Sequence, residues 1–286
     1  MRLRFIPLPV IVALVAGQAV AGERSVTPFE LLPPGDIVVP VTIDGQGPFR
    51  MLLDTGASRS AVTTAVARLL DSRVVGETTM VTPAGRARRP LVLLKRVTLG
   101  GSGSSSVVGM QLDDDDLSPA IDGLIGQDIL AARVYTIDYT ERAIVWHTGA
   151  DTGLPGTRLD VDLDRGRMLV SLPQRIEGGQ ASTAIGEVLR LIPDSGADRL
   201  VLFSHAELPP LVTVDVGLLK SGAGTRTVQQ VRIDGLDVGA IRLRGQDAAL
   251  LERTVADEPL GDGLLPLHLF ARVTINGPGR YLVVEK

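Results

Sequence analysis

Cysteine is absent from the 286 residues, which excludes disulfides, thiolate metal sites, a thiol nucleophile and a lipid-modified N-terminal cysteine. Aromatic residues are scarce, at one Trp, three Tyr and five Phe, and 29 basic residues face 33 acidic ones for a net charge of −4. With neither a basic surface to track phosphates nor rings to stack on bases, nucleic acid is not an expected partner. The three histidines, His147, His205 and His268, are too scattered for a zinc site. No Gly-x-Ser-x-Gly elbow accompanies Ser204-His205, which removes a serine-hydrolase reading. Residues 101–106 are rich in Gly and Ser but lack both a P-loop Lys and dinucleotide-fold spacing, so they read as a flexible turn. What is abundant is the ordinary material of a water-soluble globular chain, 44% hydrophobic and 22% charged, enough to bury a core without cross-links.

The N-terminus reads as an address. Arg2 and Arg4 precede an apolar stretch, and Ala19-Val20-Ala21 supplies the small residues that a signal peptidase needs before Gly22. The uncharged run, residues 5–21, is shorter than a membrane span and contains Pro7 and Pro9. Residues 1–21 are therefore expected to be a cleaved export signal, leaving no membrane span and placing the mature protein in a periplasm or the extracellular space.

After the signal the apolar segments are short and rich in Val, Ile and Leu. Residues 37–43, 49–53, 91–99, 134–137, 143–146, 168–172, 188–192, 228–233 and 281–284 are separated by Gly, Pro, Asp and Asn, a strand-and-turn rhythm. Helical periodicity is confined to residues 63–70 and, briefly, 266–270. The expected fold is mostly β.

The chain also repeats itself. Leu52-Leu53-Asp54-Thr55-Gly56-Ala57 recurs as Ile192-Pro193-Asp194-Ser195-Gly196-Ala197, 140 residues later, and Asp122-Gly123-Leu124-Ile125-Gly126 recurs as Asp262-Gly263-Leu264-Leu265-Pro266 at the same offset. Between these landmarks Thr82-Pro83-Ala84-Gly85 corresponds to Ser221-Gly222-Ala223-Gly224. The expected halves are residues 30–147 and 160–286, joined by a Gly/Pro/Thr-rich linker at 148–159.

Each half ends an apolar strand in Asp-Thr/Ser-Gly-Ala. The strand buries its support, the Asp supplies an acid or base, the Thr55 or Ser195 hydroxyl can bond across to a facing loop, and Gly56 and Gly196 permit a tight turn and close approach. Two carboxylates brought face to face cannot both ionise easily, so Asp54 and Asp194 would share a proton and hold a water between them. That chemistry requires no cofactor and no metal.

These paired segments, with the later apolar-apolar-Gly segment Leu124-Ile125-Gly126 in the first half and the altered Leu264-Leu265-Pro266 in the second, resemble the aspartic proteases of pepsin-like and retropepsin-like type. The resemblance covers nearly all of the mature chain. It implies a bilobal acid-protease-like fold of two duplicated retropepsin-like β-barrel lobes with a cleft between them, and an aspartic-type endopeptidase acting on a peptide or protein substrate. It assigns Asp54 and Asp194 as the catalytic dyad. Thr55, Gly56, Ala57, Ser195, Gly196, Ala197, Leu124, Ile125 and Gly126 would support the loops. The flap tips over the substrate would be Thr82, Pro83, Ala84 and Gly85 in the first half and Ser221, Gly222, Ala223 and Gly224 in the second. Pro193 removes a backbone donor from the strand before Asp194, and Pro266 stands where the first half has Gly126. Both features leave two other readings open: a homodimeric protease that uses only Asp54, and a non-catalytic peptide-binding protein. A monomer is expected, with a homodimer as the alternative.

Three other features read as structural. Asp151-Thr152-Gly153 repeats the tripeptide without an apolar strand before it and reads as a linker turn. The run Asp113-Asp114-Asp115-Asp116 lacks the glycine and closing Glu of a calcium loop and is expected to be a solvated loop. The alternation at residues 160–164 reads as a half-buried strand.

Overall fold

The computed structural model describes residues 25–33, 35–100, 102–104, 106–148, 153–178, 181–204, 211–252 and 261–286; the expected export signal, His205 and Asp151-Thr152 lie outside them. Among the described residues nearly every element is a strand, as the short β-branched segments predict, and no helix is long and apolar enough to cross a membrane.

The two halves build the same ladder. In the first, strand Gln46–Leu53 leads into Asp54 and pairs antiparallel with Asp36–Ile43 across a two-residue Asp44-Gly45 turn, where positive φ at both residues matches the twist of a tight hairpin. Its other side lies parallel to Gly123–Ile125, with Leu52 opposite Leu124 and Leu53 opposite Ile125. Gly123–Ile125 pairs with Ala61–Thr63, which runs parallel to Val107–Leu112, and that strand meets Gly85–Leu94 of the hairpin it forms with Val74–Thr82. In the second half Ala181–Asp194 pairs antiparallel with Arg167–Gly178 and parallel with Gly263–Pro266. The order then continues through Leu200–Ser204 and Ile241–Glu252 to the hairpin Val212–Ser221 and Gly224–Val238. Register repeats as well as order: Leu124 faces Ala61, and Leu264, 140 residues on, faces Val201.

A shared sheet joins the halves. Ser25–Pro28, Ala143–His147 and Val134–Asp138 from one side continue without a break into Arg272–Asn276, Tyr281–Glu285 and Thr157–Asp164 from the other. At its centre Thr136 lies opposite Thr274, and their buried hydroxyls are 2.7 Å apart. The main core cluster accordingly draws on both halves, with Val39, Met51 and Leu53 from one and Leu191, Leu202 and Leu265 from the other.

Several local expectations change. The run at 91–99 is two strands, Gly85–Leu94 and Val97–Leu99, because exposed Lys95 and Arg96 form a corner that exchanges backbone and side-chain bonds with Asp44. The expected flexible turn at 101–106 contains strand Ser102–Ser104, paired with Val97–Leu99. Helix Thr64–Leu69 forms where expected, capped by Thr63, and the segment after Pro266 is the 3-10 turn Leu267–Leu269. A four-residue helix, Gln127–Leu130, is too short to show a sequence period.

Candidate active site

The strands Gln46–Leu53 and Ala181–Asp194 carry Asp54 and Asp194 to one place, and the residues that follow interlock. Thr55 Oγ1 donates to the Pro193 carbonyl at 2.8 Å and accepts from the Ser195 amide at 2.9 Å. Reciprocally, Ser195 Oγ donates to the Leu53 carbonyl at 2.5 Å and accepts from the Thr55 amide at 3.1 Å. Thr55 and Ser195 are almost wholly buried, so all four bonds lie out of water's reach. Pro193 takes part through its carbonyl, and the amide it lacks has no role in the exchange.

The glycines bring the loops close. A Cβ on Gly56 would lie 2.5 Å from the Asp194 carboxyl carbon, and one on Gly196 would lie 3.4 Å from both Asp194 Oδ1 and the Asp54 carboxyl carbon. The two carboxyls therefore sit side by side against the facing loops' backbones. Asp54 Oδ1 accepts from the Gly56 and Ala57 amides at 3.0 and 2.9 Å, and Asp194 Oδ1 accepts from the Gly196 amide at 2.8 Å. Asp194 is 8% exposed, while Asp54 is only half-buried.

This packing raises both carboxyls above the ordinary carboxylate range. Burial is the main cause for Asp54, opposed by the Ala57 and Gly56 amides, with Asp36 raising it and Arg167 lowering it. Burial also leads at Asp194, the charge of Asp54 comes second, and the group is pushed up to about 8. One of the pair thus holds a proton under conditions where a free carboxyl would not, and Asp194 is the better holder.

The apolar-apolar-Gly segment lies directly behind the first loop. Leu124 and Ile125 pair with the strand feeding Asp54, the Ile125 carbonyl accepts from the Asp54 amide at 3.0 Å, and a Cβ on Gly126 would meet the Arg59 backbone at 2.7 Å. In the second half Pro266 is buried opposite Asp194 and, with φ of −63°, opens the turn Leu267–Leu269. Ala57 and Ala197 continue the two loops; the Ala57 carbonyl accepts from the Gln127 amide at 2.9 Å.

The two flap tips come together. Thr82 and Gly85 close one hairpin around Pro83 and Ala84, Ser221 and Gly224 close the other around Gly222 and Ala223, and Thr82 Oγ1 lies 2.7 Å from Ser221 Oγ. Arg167, whose charge acts on Asp54, also donates to the Val81 carbonyl of the first hairpin at 3.4 Å.

Sequence reasoning missed several contributors. Gln127 Nε2 donates to the Thr55 carbonyl at 2.8 Å, and Asp128 Oδ1 accepts from the amide and hydroxyl of Ser60 at 2.9 and 2.6 Å, while Ser60 Oγ accepts from the Gly126 amide. Their signal was position, directly after Gly126. The acidic run is the loop expected, with Asp113, Asp114 and Asp115 exposed, but Asp116 is drawn inward. Asp114 accepts from the Ala65 amide at the start of a helix, and Asp116, 12% exposed at its side chain, holds Arg89 at 2.7 Å. The opposite charge that organises these acids lies more than twenty residues upstream, where a local reading does not look.

Residues 39–129 match the aspartyl protease family. The match spans the Asp54 loop, the first flap tip and the Leu124-Ile125-Gly126 segment, about a third of the chain, and supports an aspartic-type peptidase. No curated protein matches the chain. Among solved structures it is similar to the basic 7S globulin from soybean, at 10% identity and a TM-score of 0.50 over 92% of this chain and 95% of that one. It is also similar to conglutin gamma, a basic 7S globulin from lupine seeds, at 11% identity and a TM-score of 0.53 over 93% of this chain and 95% of that one. At such identity the likeness speaks to the fold alone: a nearly all-β, acid-protease-like architecture.

Proposed function

We propose that the chain is an exported aspartic-type endopeptidase that hydrolyses peptide bonds through a water activated between Asp54 and Asp194. The observation that carries this reading is the reciprocal Thr55–Ser195 exchange, which sets the half-buried carboxyl of Asp54 and the buried one of Asp194 side by side in one chain. Asp54, the more exposed and the better supplied with amide donors, is the base, and Asp194 keeps the proton. Water loses a proton to Asp54 as its oxygen attacks the scissile carbonyl carbon, and Asp194 passes its proton to the carbonyl oxygen. The resulting tetrahedral diol collapses when the amide nitrogen takes the proton from Asp54 and the C–N bond breaks, while a diol hydroxyl gives its proton back to Asp194 and restores the pair. A substrate lying extended beneath the flap tips would be held chiefly through its backbone. The expected export signal at residues 1–21 supports a periplasmic or extracellular setting for this activity.

The test compares wild type with Asp54→Asn and Asp194→Asn on a mixed peptide library from acid to neutral pH. Loss of cleavage in both variants supports the intramolecular pair. Cleavage that survives in Asp194→Asn overturns it in favour of a dimer using Asp54 alone, and peptide binding without turnover in the folded wild type overturns catalysis.

A further inference from the structure

The contact between the flap tips is more than touching hydroxyls. Arg89, on the returning strand of the first flap, points toward its own half and is only 13% exposed at its side chain. Its Nη2 bonds Asp116 Oδ1 and Oδ2 at 2.9 and 2.7 Å, its Nε bonds Asp116 Oδ2 at 3.1 Å, and Asp113 Oδ2 lies 3.3 Å from Nη1. The acidic turn is itself braced, since the Asp113 amide donates to Asp116 Oδ2 at 2.9 Å. From this anchored position Arg89 Nη2 also donates to the Gly222 carbonyl, at the tip of the second flap, at 3.0 Å. Around that bond the tips fit closely. A Cβ on Gly222 would come within 3.3 Å of Met80 Cε, one on Gly85 within 3.2 Å of the Ala223 carbonyl, and Thr82 and Ser221 share their 2.7 Å bond. The repeat does not supply a second copy of this device, because the residue at the place of Arg89 in the second flap is buried Val228.

Taking the proposed peptidase reading as given, we infer that Arg89, with Thr82 and Ser221, forms a one-sided clasp that holds the second flap down on a fixed first flap, so that substrate enters only when the Arg89–Gly222 and Thr82–Ser221 contacts part. The parting plane follows from the strengths of the bonds. Arg89 meets Asp116 through three largely buried hydrogen bonds between opposite charges, with Asp113 adding its attraction, but meets Gly222 through a single bond to a neutral carbonyl. Opening therefore leaves Arg89 with its acids and releases the second tip. Arg89 is a positioning residue: it acts on the peptide through the flap and not on the reacting atoms.

Because the chain has no cysteine, one pair of substitutions tests this cleanly. Thr82→Cys with Ser221→Cys in the full chain should form a disulfide readily in the resting protein, and the oxidised form should cleave peptides at least tenfold more slowly, with full recovery on reduction. Free cleavage by the oxidised form overturns the clasp and leaves the peptidase reading standing. If wild type itself cleaves nothing, the peptidase reading fails, and the clasp then stands or falls on the rate of disulfide formation and on amide exchange. Adding Arg89→Lys, which keeps the charge but not the fork, should then slow disulfide formation severalfold. An unchanged rate in the folded variant overturns the inference. Amide exchange gives a second readout: the backbone of residues 218–226 should exchange faster than that of 79–88 in wild type, and the reverse order overturns the assignment of the moving flap.

Discussion

Ser195→Ala removes one hydroxyl and two bonds. It strips the Thr55 amide and the Leu53 carbonyl of a partner at a site where Thr55 is fully buried and Ser195 is 2% exposed, so water cannot replace the hydroxyl. A buried polar group left unpaired costs about 1–3 kcal/mol, and a carbonyl, with two lone pairs, suffers less than an amide. The expected loss is about 2–4 kcal/mol, a sizeable part of the ~5–15 kcal/mol that usually separates folded from unfolded domains. Thr55→Val keeps the shape of its side chain and strips the Ser195 amide and the Pro193 carbonyl in the same way, so its cost should match within about 1 kcal/mol. The double variant should cost less than the sum, because once either exchange is lost the loops are free to separate and the second has less left to break. Urea unfolding of the four proteins measures this, read from midpoints at constant slope. If either single variant loses less than about 0.5 kcal/mol, the size of an ordinary surface substitution, the interlock is not what joins the loops.

Three further outcomes follow from the same geometry. Gly56→Ala drives a methyl to 2.5 Å from the Asp194 carboxyl carbon and should cost ~1–3 kcal/mol and nearly all peptide cleavage, whereas Gly196→Ala, with 3.4 Å available, should be milder; equal losses by thermal melting would contradict the described approach of the loops. Asp194 holds a proton in the folded chain that the unfolded chain releases, so wild-type stability should fall as pH rises from about 4 toward 8; Asp194→Asn should flatten that slope and melt higher at neutral pH, and an unchanged slope refutes the assignment. For the same reason the alkaline limb of the pH–rate profile should lie well above the ordinary carboxylate range, with the acid limb marking protonation of Asp54, and a profile collapsing by pH 5 would show that the pair is not so buried.

The repeat was legible because it is written in local, short-range terms: an apolar strand, Asp-Thr/Ser-Gly-Ala, and a second apolar strand a fixed distance on. Those signals foretold the mostly β fold, the matched ladders and the meeting of Asp54 with Asp194. What escaped depends on partners distant in sequence. Asp113-Asp114-Asp115-Asp116 looks like a solvated run until Arg89 is laid against Asp116, and Thr136 and Thr274 are unremarkable strand residues until the shared sheet sets them face to face. Pro193 and Pro266 looked like damage because sequence reasoning tallies lost donors, whereas the interlock uses the Pro193 carbonyl and Pro266 starts a turn. Gln127 and Asp128 were overlooked because a four-residue helix carries no period.

The axis between Thr136 and Thr274 has a consequence for how such a chain can change. In an assembly of two identical subunits every residue must suit two places at once, since any substitution arrives twice. Here the two sides of that axis are encoded separately, so one side can keep the cramped Gly126 while the other adopts Pro266, and one flap can acquire Arg89 while its twin keeps Val228. Linking the halves into one polypeptide is what allows a near-symmetric frame to divide its labour.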